Sequence, residues 1–118
     1  MSNVLLRERG YVMSKKLSVR VSDIEAEGHL NDSRTANAIW EALPFSSLGK
    51  LWGQEIYFSV PISGALEDGQ EVVQSGCLAY WPPGRAFCIC FGPTPASHGG
   101  EIRPASPVTI LGNVVGST

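Results

Sequence analysis

The stretch Cys77-Leu78-Ala79-Tyr80-Trp81-Pro82-Pro83-Gly84-Arg85-Ala86-Phe87-Cys88-Ile89-Cys90-Phe91 decides the fold. Cys77 to Trp81 is strand-like. Pro82-Pro83-Gly84 reads as a tight turn, in which proline presets φ at one central position and glycine supplies φ > 0 at the next. Ala86 to Phe91 is an apolar run, short enough and aromatic enough to be a buried strand. Outward from this strand–turn–strand unit the chain continues to read as β. Leu17, Val19 and Val21 alternate with Ser18, Arg20 and Ser22, the period-2 pattern of a half-buried strand. A second short strand, Glu25 to Leu30, is expected to pair with it. Glu55 to Val60 is a strand closed by Pro61, Val72-Val73 is strand-like, and Val108 to Val115 is the last strand. Gly64 to Gly69 and Gly92 to Pro107 are loops.

One segment breaks the pattern. Asn31-Asp32-Ser33 supplies side-chain oxygens for the free amides of a first helical turn. After it, Ala36, Ile39, Trp40 and Leu43 fall on one face at helical spacing. Pro44 stops the run, because the residue before proline is pushed out of the α region. The spacing predicts one α-helix over Ser33–Leu43. Many short strands and a single helix predict a mainly β barrel or sandwich capped by that helix. Residues 1–13 show no clear period. They read as an N-terminal arm or, since Met13-Ser14-Lys15-Lys16 resembles a second start, as an overlong beginning; residues 14–118 read as the domain.

The chain has 118 residues, of which 43% are apolar and 17% charged, a balance that suits one globular domain with its own core. Its net charge is −2 and its longest basic run is Lys15-Lys16, so nucleic acid is not an expected partner. No apolar run approaches the roughly 20 residues of a membrane span. Val4-Leu5-Leu6 is cut off by Arg7, Glu8 and Arg9, which leaves no signal-peptide core. No membrane partner and a cytoplasmic location are therefore expected. Three cysteines, an odd number, argue against a closed disulfide framework.

The chemistry-bearing residues are few. Cys88 and Cys90, two apart on one strand, point the same way, with Cys77 on a neighbouring strand. Cys-x-Cys inside an apolar strand matches a zinc knuckle poorly and reads as small buried side chains, so no metal or cofactor is expected. Ser97-His98 is an adjacent pair without an orienting acid. The apolar surroundings of Cys88 oppose a reactive thiolate. Gly99-Gly100 follows no strand–helix turn and forms no phosphate loop. No catalytic residue is assigned. Glu55 opens an apolar strand three residues after Trp52. It is either a carboxyl of raised pKa beside a tryptophan or the polar face of an ordinary strand. Trp52, Tyr57, Tyr80 and Trp81 sit at strand ends or beside turns, where aromatics either plug a core edge or line a groove.

Three stretches converge on a family. They are Trp52-Gly53-Gln54-Glu55-Ile56-Tyr57-Phe58, the segment Ala79 to Cys88 running on through Phe91-Gly92-Pro93-Thr94-Pro95, and Pro104-Ala105-Ser106-Pro107-Val108. Over residues 16–116 the chain resembles the short prokaryotic cyclophilin-like proteins of unassigned function, most specifically at Tyr80-Trp81-Pro82-Pro83-Gly84. Arg34-Thr35-Ala36 at a helix start, Gly76 to Phe91, and Leu111-Gly112-Asn113-Val114-Val115 are similar to segments of true cyclophilins. The resemblance implies a closed barrel of about eight strands with a packed interior, a capping helix, and an outer groove. Cyclophilins place a catalytic arginine on the strand matched by Trp52 to Phe58. That stretch has none, and Glu55 lies near the place. A guanidinium can hydrogen-bond around a twisting prolyl amide and weaken its resonance, whereas a carboxylate offers no such donor. Groove positions held by glutamine and phenylalanine in cyclophilins match Ala86 and Cys88, which implies a smaller, flatter floor. His98 lies near the region of their loop histidine.

The expected binding residues are thus Trp52, Glu55, Tyr57, Phe58, Tyr80, Trp81, Ala86, Cys88 and His98. The expected function is a module that binds a small molecule or peptide without efficient prolyl isomerase activity, with residues 92–107 as a movable rim. An accessory domain or subunit of a metabolic enzyme and a weak peptidyl-prolyl isomerase are the alternatives. A homodimer is left open.

Overall fold

The computed structural model describes residues 2–8 and 15–115. Its elements are β1 (Ser2–Glu8), β2 (Lys15–Val21), β3 (Ile24–Leu30), α1 (Arg34–Ala42), β4 (Phe45–Trp52), β5 (Glu55–Ser59), β6 (Cys77–Trp81), β7 (Ala86–Cys90) and β8 (Thr109–Val115). The strands close into a barrel in the order β1-β2-β3-β8-β6-β7-β5-β4. Each neighbouring pair is antiparallel.

Alternation decides what the barrel encloses. Val4, Leu6, Leu17, Val19, Phe58, Leu78, Tyr80, Phe87, Ile89 and Leu111 project inward into one cluster. Phe58 and Phe87 stack there with ring centroids 5.1 Å apart. Helix α1 adds Ala36 and Ile39 to this cluster, with Trp40 and Leu43 packed against it. Its start is well capped. Ser33 Oγ accepts from the Ala36 amide at 3.1 Å, and the Glu67 carboxylate accepts from the amides of Arg34 and Thr35 at 3.1 and 2.9 Å. Leu43, before Pro44, turns extended and ends the helix. The expected bounds therefore hold, with Ser33 and Leu43 as the two caps.

A second apolar layer lies outside the barrel. Cys77, Ala79, Ala86, Cys88 and Cys90 occupy the outer face of β6 and β7. The chain between β5 and β6 and the chain between β7 and β8 cover them. These two segments are joined by bridges between Gln70 and Val108 and between Val73 and Ile102. Strand β7 is buried at every residue because both of its faces are covered. That is why its sequence is a continuous apolar run rather than an alternating one.

Four readings of the sequence need correction. Ser2–Glu8, read as part of an arm or overlong start, is a barrel strand: it pairs with β2 and β4 and buries Val4 and Leu6 fully. Met1 and residues 9–13 of that arm lie outside the described residues. Strand β4 was not anticipated, because Leu48 and Leu51 are exposed at 52% and 75% and blur its period. Val72-Val73 forms no strand; Val73 makes a single bridge and Val72 is exposed. In the Pro82–Gly84 turn the left-handed residue is Arg85, with φ of 47°, and not Gly84. Glycine is required at 84 for space instead: a Cβ there would come 2.7 Å from Trp81 Cζ3. No helix among the described residues is long and apolar enough to cross a membrane.

Candidate functional site

Strands β5, β7 and β6 lie side by side, and their register places outward residues in rows. Glu55 is opposite Cys90, which is opposite Cys77; Tyr57 is opposite Cys88, which is opposite Ala79. Trp52 is opposite Glu55 across the β4–β5 turn. Gly53, at φ +64°, makes that turn, and a Cβ on it would come within 2.8 Å of Thr94 Cα. The segment after β7 can therefore lie directly on the turn. It is held there by the Gln54 amide, which donates to Pro93 O at 3.0 Å, and by the Phe91 amide, which donates to Gln54 O at 3.0 Å.

Between this sheet face and the covering loop is a cavity of about 240 Å³. It is lined by Trp52, Glu55, Tyr57, Trp81, Cys88, Pro104 and Ala105. It is mostly apolar with one ionisable acid, the composition expected of a small-molecule site. Trp81 is fixed in orientation. Its ring packs on Gly84, and its indole N–H donates to Ser106 Oγ at 2.7 Å, tying the loop to β6. Glu55 and Cys88 are 5% and 3% exposed, the deepest of the strand residues that line the cavity.

Burial raises the pKa of the Glu55 carboxyl above its ordinary value, opposed in part by the facing thiols of Cys88 and Cys90. Cys90 Sγ donates to Glu55 Oε1 at 3.8 Å. Burial, reinforced by the nearby carboxylate, also pushes the thiols of Cys88 and Cys90 well up, and burial alone takes Cys77 to about 11. Neutral thiols at physiological pH are poor nucleophiles and poor metal ligands. Among the described residues no group of three or more His, Cys, Asp or Glu is placed to hold a metal ion.

Of the residues expected from sequence, Trp52, Glu55, Tyr57, Trp81 and Cys88 meet at this cavity. Phe58 and Tyr80 do not: period-2 alternation turns them into the barrel, where they are 1% and 0% exposed. Ala86 is buried in the outer layer without lining the cavity. His98 is also elsewhere, its amide donating to Glu101 Oε2 at 2.8 Å on the loop. Pro104 and Ala105 are additions that no residue chemistry announced, although their stretch was one of the three carrying the family resemblance. The loop expected to be a movable rim is internally bonded. Ser97 Oγ accepts from the amides of Thr94 and Arg103 at 3.0 and 3.3 Å, and Thr94 Oγ1 donates to Arg103 O.

A larger depression, about 920 Å³, runs past the helix start and is lined by Asp32, Glu67, Gln70, Gln74 and Asn113 among others. Its central carboxylate, Glu67, already accepts three hydrogen bonds, from Arg34 N, Thr35 N and Thr35 Oγ1. It serves the helix end, whereas Glu55 in the smaller aromatic cavity is met by thiols.

Comparison with known proteins agrees with this architecture. Residues 15–118 match the protein family described as Cyclophilin-like. The solution structure of the hypothetical protein AF2241 from Archaeoglobus fulgidus is 35% identical in sequence, with a TM-score of 0.69; the match covers 97% of this chain and 79% of that one. Among curated proteins none matches.

Proposed function

We propose that the outer cavity of this chain, which belongs to the cyclophilin-like family, binds a small molecule or a single projecting side chain and does not isomerise prolyl bonds efficiently. The observation that carries the reading is the cavity's lining: three aromatic rings around one buried carboxyl, under a loop anchored by the Trp81–Ser106 bond. At about 240 Å³ the space suits a fragment-sized ligand.

The lining also argues against isomerase chemistry. Among the described residues it holds no arginine. Arg103, on the covering loop, is engaged with Glu101 at 3.2 Å and Glu71 at 3.7 Å. The guanidinium that would hydrogen-bond a twisting prolyl amide therefore has no counterpart in the lining, and Glu55 supplies an acceptor instead of a donor.

A metabolite panel screened by thermal shift tests the binding reading, because any ligand bound only by the native state stabilises it. Hits should perturb the indole N–H resonances of Trp52 and Trp81. Hits that raise the melting temperature while leaving both indoles unmoved would place binding elsewhere and refute the reading. In a proline-peptide assay the exchange should stay at its uncatalysed time of tens to hundreds of seconds.

A further inference from the structure

We infer that the outer cavity takes an organic cation, an ammonium or guanidinium head seated against Glu55 between the faces of Trp52, Tyr57 and Trp81. This inference rests on the binding reading above and names its ligand class.

The argument starts from how this protein treats its other well-held carboxylates. Glu67 accepts from two backbone amides and a hydroxyl. Glu101 accepts from the amides of His98 and Gly99, each at 2.8 Å, and from Arg103 Nε at 3.2 Å. Both are satisfied by strong donors, and both are held below the usual carboxylate range, Glu101 at about 2. Glu55 is more buried than either, yet its hydrogen-bonding partners are the thiols of Cys88 and Cys90. Thiols are weak donors. A buried carboxylate without strong donors or a countercharge carries a large desolvation cost. Among the described residues, no lysine, arginine or histidine lines the cavity to offset it. What the site lacks among the described residues is a positive group, and Glu55 lines the cavity.

The walls reinforce that choice over a neutral donor. Aromatic faces attract a desolvated cation through their quadrupoles, and an ammonium or guanidinium can contact a ring and a carboxylate together. The Trp81 ring is already held by Gly84 and Ser106, so ordering it adds little to the cost of binding. The titratable groups facing Glu55 are the thiols of Cys88 and Cys90 on β7, Cys77 in its row on β6, and Tyr57 on its own strand. The thiols remain neutral through the physiological range. Cation affinity should therefore rise with pH as Glu55 ionises.

The test is a matched pair of probes, benzylammonium and benzyl alcohol, titrated into the full chain while the Trp52 and Trp81 indole resonances are followed. Benzylammonium should bind about tenfold more tightly, and Glu55→Gln should erase the preference. The wild-type chain provides an independent check: the preference should shrink as pH is lowered and the carboxyl, its pKa raised by burial, takes up its proton. Equal or tighter binding of the alcohol at the indoles would overturn the cation assignment and leave the binding reading intact. If neither probe moves the indoles, both fall.

Discussion

On its inner face the β5–β7–β6 sheet carries Phe58, Phe87, Leu78 and Tyr80; on its outer face the same strands carry Ala79, Ala86 and the three cysteines. The inner residues are large and apolar but for the Tyr80 phenol, and the barrel closes around them. These outer residues are small, with Glu55, Tyr57 and Trp81 beside them on the same face, and a loop covers them instead of a sheet. A loop must satisfy its own backbone first, as Ser97, Thr94 and Glu101 do here. It follows the sheet less closely than another strand would. Small side chains beneath an imperfectly fitting cover leave space, and that space is the cavity. The difference separates two jobs: one face supplies stability, and the other gives up packing for a site.

Three experiments bear on this contrast. The largest effect should come from deleting residues 1–12. This removes β1, takes Val4 and Leu6 out of the inner cluster and bares the edges of β2 and β4. Burial of each such side chain is worth about 1.5–3 kcal/mol, and unpaired edges invite association. A cooperative melt should be lost or the chain should aggregate, as seen by calorimetry and size-exclusion chromatography. A shortened chain that stays monomeric and melts like the full one would show that the inner face does not need β1.

Next in size, Phe58→Ala should cost about 3–5 kcal/mol in urea unfolding, as expected for a large ring removed from a closed core. Cys88→Ala, on the outer face of the neighbouring strand β7, should cost about 1 kcal/mol. Similar costs would mean that the outer layer is packed as tightly as the inner one, and the contrast would fail.

The smallest effect concerns pH. The raised pKa of Glu55 means that the native state binds its proton more readily than the unfolded chain does. Its stability contribution is thus fully present below the ordinary carboxylate value of 4.5 and declines as pH rises through the folded-state value. Glu101 acts in the opposite direction: its contribution is present above 4.5 and is lost as pH falls through about 2. Glu55→Gln should therefore stabilise the chain more at about pH 8 than at about pH 4 in thermal melts. The reverse trend would show that Glu55 has a strong internal partner.

The residues themselves reveal much of the site and less of its roof. Trp52, Glu55, Tyr57, Trp81 and Cys88 were readable because strand-end aromatics and a carboxyl in an apolar strand stand out from their neighbours. Phe58 and Tyr80 share the chemistry of these residues, and only the phase of the alternation turns them inward. Pro104 and Ala105 carry no chemical signal; their place depends on the path of a long loop. Strand β1 was missed because its pattern is short and Leu5 interrupts it. Strand β4 was missed because it leaves large apolar side chains in water.

Local rules were enough for the helix, its two caps, the β2 alternation and the two-face burial of β7. Each depends on the intrinsic geometry of a few consecutive residues. Closure of the barrel is legible only through the family resemblance, and the space beneath the second loop and the placing of Glu55 against thiols rather than strong donors arise only in three dimensions. They depend on which strand lies beside which, and pairing between distant segments is set by the joint packing of the whole chain.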